Sequence, residues 1–89
     1  MNANARNELC EALTYIGSRV GDEVQARILW KYEMTNYKTW KGRRPEFEDV
    51  PYLSVESHRH GCRQEYCLTR YGCENHAFAE AAEWLQEAA

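Results

Sequence analysis

The sequence predicts a small α+β domain in the order α-β-β-β-α: a three-stranded antiparallel meander sheet with two helices packed on one face. Three observations predict it. Apolar residues recur with a helical period near both ends of the chain. They alternate with a period of two from Val24 to Met34. They alternate again on either side of His60-Gly61, a natural turn. Eighty-nine residues suffice for one domain, residues 1–89, with one modest core.

The first helix rests on Leu9, Leu13, Ile16 and Val20, which fall at i, i+4, i+7 and i+11 on one stripe. Asn4 is its expected cap, and Gly17 or Gly21 its expected stop. Cys10 sits beside the stripe as a small core residue. The period then changes. Val24, Ala26, Ile28, Trp30, Tyr32 and Met34 alternate with Gln25, Arg27, Lys31 and Glu33, interrupted only by Leu29. That pattern reads as a strand with one face in the core. Residues 36–49 contain Gly42, Pro45 and dense charge, so most of this stretch is expected to be a loop. A loop of that length in a small domain is usually functional or disordered.

Residues 50–60 and 62–71 read as a hairpin around a two-residue His60-Gly61 turn. This register opposes Arg59 to Cys62, Val55 to Tyr66 and Leu53 to Leu68. It gathers Leu53, Val55, Cys62, Tyr66 and Leu68 on one face and Ser54, Glu56, His58, Arg63, Glu65 and Cys67 on the other. The closing helix carries Phe78, Ala81, Ala82 and Leu85, edged by Ala77, Trp84 and Ala88, with Asn75 as its expected N-cap. The predicted core is Leu13, Ile28, Trp30, Val55, Leu68, Phe78 and Leu85. The element order is similar to that of the double-stranded-RNA-binding domain. There a basic helix start grips phosphate, whereas this helix opens Glu74-Asn75-His76, so the resemblance implies topology alone.

Net charge is −3, but it is unevenly spread. Residues 1–45 hold eight Lys/Arg against five Asp/Glu, and residues 46–89 hold three against nine. This predicts two differently charged surfaces and argues against a general nucleic-acid binder, which would be basic throughout. No apolar run is long enough for a signal peptide or a membrane span, so a cytoplasmic protein with reduced thiols is expected.

Three of the four cysteines and all three histidines lie between His58 and His76. Their spacing matches no common zinc pattern, and the hairpin register sends Cys62 and Cys67 to opposite faces, so no metal and no cofactor are expected. The fallback, should the hairpin be wrong, is a zinc site of Cys62, Cys67, Cys73 and His76. Cys73 also sits where a helix N-terminus would activate a thiol, which with His76 gives a third reading, a thiol enzyme.

Two surfaces are candidates for partner binding. Tyr37, Trp40, Lys41, Arg43 and Arg44 mix aromatic rings with cations, a combination that suits protein interfaces and nucleic-acid backbones. Glu80, Glu83 and Glu87 form an acidic face on the last helix, where like charges at i,i+3 and i,i+4 repel. With no catalytic motif in view, the expectation is a non-catalytic binding protein acting by surface complementarity. The class it suits is a small phage or mobile-element inhibitor of a host nucleic-acid-handling machine, of the anti-CRISPR type. Its partner would be a protein with a basic nucleic-acid-binding surface, the chain itself being a monomer or homodimer. The alternative is a small RNA- or DNA-binding module using the 37–44 loop, with or without zinc.

Overall fold

The computed structural model of the protein describes residues 3–36, 42, 44–69 and 74–88. Helix α1 (Ala3–Arg19) is followed by strands β1 (Val24–Met34), β2 (Phe47–Ser57) and β3 (Cys62–Cys67), then helix α2 (Glu74–Gln86). The strands form one antiparallel sheet in the order β1-β2-β3, as the alternating patterns predict. No helix among the described residues is long and apolar enough to cross a membrane.

Both helices lie on one face of the sheet. Leu13, Val24, Leu53, Val55, Tyr66, Leu68, Ala77, Ala81 and Leu85 are buried together, with Ile16, Ile28, Phe78 and Trp84 against their edge. Alanines at 77 and 81 let α2 come close to the sheet, and Gly17 does the same for α1. A Cβ on Gly17 would stand 2.2 Å from Val24 Cγ2. Gly17 is therefore inside α1 and does not end it. Gly21, at φ +73°, makes the turn out of the helix, where an L side chain would be strained. The helix starts also differ from expectation. Asn4 lies inside α1, and α2 begins at Glu74, which puts Asn75 within its first turn. Glu74 is fixed by a tertiary contact, accepting bonds from Arg6 Nε at 3.0 Å and Nη2 at 2.9 Å.

The hairpin register is displaced from the expected one. Ser57 opposes Cys62, Val55 opposes Gln64 and Leu53 opposes Tyr66. The turn spans His58–Gly61, so the pairing slides by two residues: the side chains that stay in the strands keep their predicted faces, while His58, expected on the polar face, falls in the turn. A buried polar clamp accounts for the early turn. The Asp22 carboxylate accepts the Ser57 hydroxyl at 2.5 Å and the Arg59 backbone N–H at 2.8 Å. Ser57 Oγ in turn accepts the His60 N–H at 3.0 Å. These bonds hold the chain at Ser57 before His60-Gly61 can close a shorter loop. Burial by itself would raise the Asp22 carboxyl. The Ser57 and Arg59 hydrogen bonds, with the charges of Arg59 and His60, outweigh it and hold the group below the usual carboxylate range.

Pro51 sits in the central strand, where proline is normally excluded. Its ring nitrogen faces the β3 side, and the β3 strand ends at Cys67, level with Tyr52. No ladder bond of β1 is lost.

Candidate binding surfaces

The length of each element decides which part of the sheet is covered. Seventeen helical residues rise about 25 Å, whereas eleven strand residues extend about 37 Å. Helix α1 runs antiparallel to β1, with Gly17 against Val24 and the Arg6 guanidinium 5.4 Å from the Trp30 ring centroid. It therefore covers β1 only as far as Trp30. β3 gives out at about the same level. Beyond it β1 and β2 continue as a two-stranded arm, and the whole molecule measures 51 × 27 × 17 Å.

Among the described residues, no helix covers the core-side face of this arm. Trp30 is 56% exposed, Tyr32 72% and Phe47 46%. Tyr32 and Phe47 stack at 5.4 Å with their planes 18° apart, which leaves their outer faces free. Trp30 was expected in the core. It has the right parity, but no helix reaches far enough to bury it. These three aromatics are the functional candidates that sequence pattern alone missed. The one signal available was the comparison of helix length with strand length.

The opposite face of the sheet carries a polar network at its centre. Lys31 forms an ion pair with Glu65 across β2, and its Nζ lies 4.6 Å from the Tyr52 ring centroid. The Tyr52 hydroxyl donates to Glu33 at 2.5 Å. That bond, with burial, pushes the phenol well above its ordinary range, and the Lys31 bond lowers the Glu65 carboxyl. These contacts tie the three strands together on that face.

Of the predicted basic-aromatic loop, Tyr37, Trp40, Lys41 and Arg43 lie outside the described residues, and Arg44 is exposed. The base of the loop is pinned by Asn36, whose side chain donates to the Arg44 carbonyl at 3.1 Å and accepts the Glu46 N–H at 2.9 Å. The acidic surface is where the sequence puts it. Glu80, Glu83 and Glu87 are exposed along the side of α2 away from Ala77, Ala81 and Leu85. His76 lies 3.6 Å from Glu80. Beside Glu83 and Glu87 runs a shallow depression lined also by Ala79, Ala82 and Gln86. The last turn of α2 holds no basic residue, yet its carbonyls are capped. Arg59 Nη2, from the β2–β3 turn, donates to Leu85 O at 2.7 Å and Glu87 O at 2.5 Å. The cation that a helix C-terminus favours is thus supplied from another element.

Cys62 is exposed at the start of β3 and Cys67 buried at its end, on opposite faces. Cys73 lies outside the described residues, so the fallback zinc set and the Cys73–His76 thiol pair are not assembled by described side chains. Among the described residues no three His, Cys, Asp or Glu side chains converge as metal ligands. Comparison of the chain with family models, with curated proteins and with solved structures finds no match.

Proposed function

We propose that this chain is a non-catalytic binding protein that acts by surface complementarity. In finer detail, we take it for a small inhibitor of a nucleic-acid-handling machine, of the anti-CRISPR type, with the outer face of α2 as its contact. The observation that carries this reading is that face: Glu80, Glu83 and Glu87 exposed on one side of a helix, the last two beside a shallow depression lined also by Ala79, Ala82 and Gln86. Arg59 supplies the donor and the positive charge that the helix end requires, so α2 tolerates carboxylates that do nothing for its own C-terminus. In the free protein their mutual repulsion costs a few tenths of a kcal/mol per pair. Opposite a surface of Lys and Arg that normally holds phosphates, the same charges become attractive and steer association. The alternative reading, direct nucleic-acid binding, is favoured by the aromatic arm leading into the basic-aromatic residues 37–44.

The test is affinity capture from nuclease-treated bacterial lysate with the natural protein and Glu80→Lys/Glu83→Lys/Glu87→Lys side by side. A nucleic-acid-binding protein held by the first and released by the second supports the proposal. Equal retention by both overturns it. Retention of oligonucleotides with a steep salt dependence, unaffected by the α2 change, selects the alternative.

A further inference from the structure

The unpaired edge of β1 and the bare aromatic arm are two halves of one feature. In the β1–β2 ladder, Thr35 N–H bonds Glu46 O and His58 N–H bonds Glu23 O. Odd-numbered residues of β1 therefore turn their backbone groups toward β2, and even-numbered ones, Ala26, Ile28, Trp30 and Tyr32 among them, turn theirs outward. Among the described residues nothing pairs with them. Natural edges of this length are normally guarded by a lysine, a proline or a bulge. Here the described β1 has no proline, and its lysine, Lys31, leans inward to Glu65.

We infer that the edge is completed by a second copy of this chain, paired antiparallel along β1 with the two-fold axis at Trp30. Charge selects the register. Outward-facing residues pair only with one another, so possible registers differ by whole two-residue steps. Centring on Trp30 sets Arg27 opposite Glu33 of the second copy, twice by symmetry, and Ile28 opposite its Tyr32. Centring on Leu29 would oppose Arg27 to Lys31, and centring on Lys31 would oppose two lysines. Arg27 is exposed and has no ion pair among the described residues, so it is available for this role.

The same register disposes of the exposed apolar surface. The large hydrophobics exposed among the described residues are Tyr15 and Val20 on α1 and Trp30, Tyr32 and Phe47 on the arm. Because Gly17 sits on Val24, and Val24 of the second copy falls beside Asn36, the second copy brings the Tyr15–Val20 end of its α1 alongside the Tyr32–Phe47 stack. Trp30 meets its own symmetry mate. Contiguous exposed apolar surface of this kind marks an interaction site, and a two-fold contact is self-complementary by construction. The six-stranded sheet that results carries both acidic α2 faces on one side. The inference stands apart from the role of α2, since no residue of that face enters the contact.

The experiment is sedimentation equilibrium of the natural chain, Arg27→Glu, and the double variant Arg27→Glu/Glu33→Arg, with circular dichroism confirming the fold. The natural chain is expected to dimerise. Arg27→Glu should weaken the dimer by about tenfold or more, since two symmetric pairs turn from attraction to repulsion, and the double variant should recover it. Hydrogen exchange on the natural chain gives a second measurement that needs no variant. The amides of Ala26, Ile28, Trp30 and Tyr32 should gain protection as concentration rises, while those of Arg27, Leu29 and Lys31 are protected throughout. A monomer at every concentration overturns the inference. So does a dimer indifferent to Arg27→Glu, or fast exchange at the even-numbered amides at all concentrations.

Discussion

Ile28 and Tyr32 lie four residues apart on the same face of the same strand. Ile28 packs against the core, whereas Tyr32 is among the most exposed of the described aromatics. Their residue types and parity are equivalent; only what lies above them differs. Between Val24 and Ile28 the strand is roofed by α1, and past Trp30 the helix has ended. The alternation of a strand states which side chains share a face. Whether that face is filled depends on the reach of another element, a property of lengths and not of hydropathy.

The comparison is broken most directly by truncation. Leu13→Ala, Val55→Ala and Leu85→Ala remove side chains with no exposed surface, and each should lower the unfolding free energy by about 2–5 kcal/mol in denaturant melts. If these prove as mild as changes on the arm, the covered and uncovered halves are not energetically distinct and the helices are wrongly seated.

A middle-sized effect is expected where the covered half is fastened by polar groups. Asp22→Asn leaves one acceptor oxygen for two donors, the buried Ser57 Oγ and the half-buried Arg59 N–H, and should cost about 1–3 kcal/mol near neutral pH. The sign of its pH dependence follows from the lowered carboxyl. Its stabilisation is present above the unfolded value of about 3.9 and is lost as pH falls through the folded value. The stability gap between natural and Asp22→Asn protein should therefore shrink below about pH 4. A gap that stays constant through that range would mean Asp22 is not the anchor of the β2–β3 turn.

What was legible in the sequence follows the same division. Element order, sheet topology and the faces of the hairpin residues that stay in strands were readable, because a period of two survives a slide of two residues. The turn length was not readable, since it depends on Asp22, thirty-five residues upstream of the Ser57 it holds. The acidic face of α2 was readable as a run of glutamates. Its tolerance was not, because the compensating cation is Arg59, in a different element. Trp30 was assigned to the core and lies in solvent, because hydropathy carries no information about where α1 stops relative to β1.

Trp30 therefore sharpens the comparison with a smaller number. Its ring gains the Arg6 cation and little else on the solvent side. Trp30→Ala should cost about 1 kcal/mol or less, against several for a buried aromatic. The measurement belongs at high dilution, where association cannot add to stability. A loss above about 3 kcal/mol would mean the arm is covered in solution by something other than a second copy.

The smallest effect is expected on the outer face of α2, which behaves toward the fold as the bare arm does. Glu83→Lys and Glu87→Lys replace repulsion with attraction toward the remaining carboxylates at i,i+3 and i,i+4, a gain of a few tenths of a kcal/mol per pair. Glu80→Lys gains less, because Glu80 already lies near His76 and that contact would be lost. The helix end is indifferent to these changes, since its carbonyls are held by Arg59. Thermal melts of the three single variants should accordingly rank Glu83→Lys and Glu87→Lys at or slightly above the natural protein and Glu80→Lys level with it. A loss of more than about 1 kcal/mol at Glu83 or Glu87 would show that the fold depends on the carboxylate itself, outside the range of such surface pairs. The acidic face would then belong with the covered half of the molecule, and its charge would no longer be evidence of a partner.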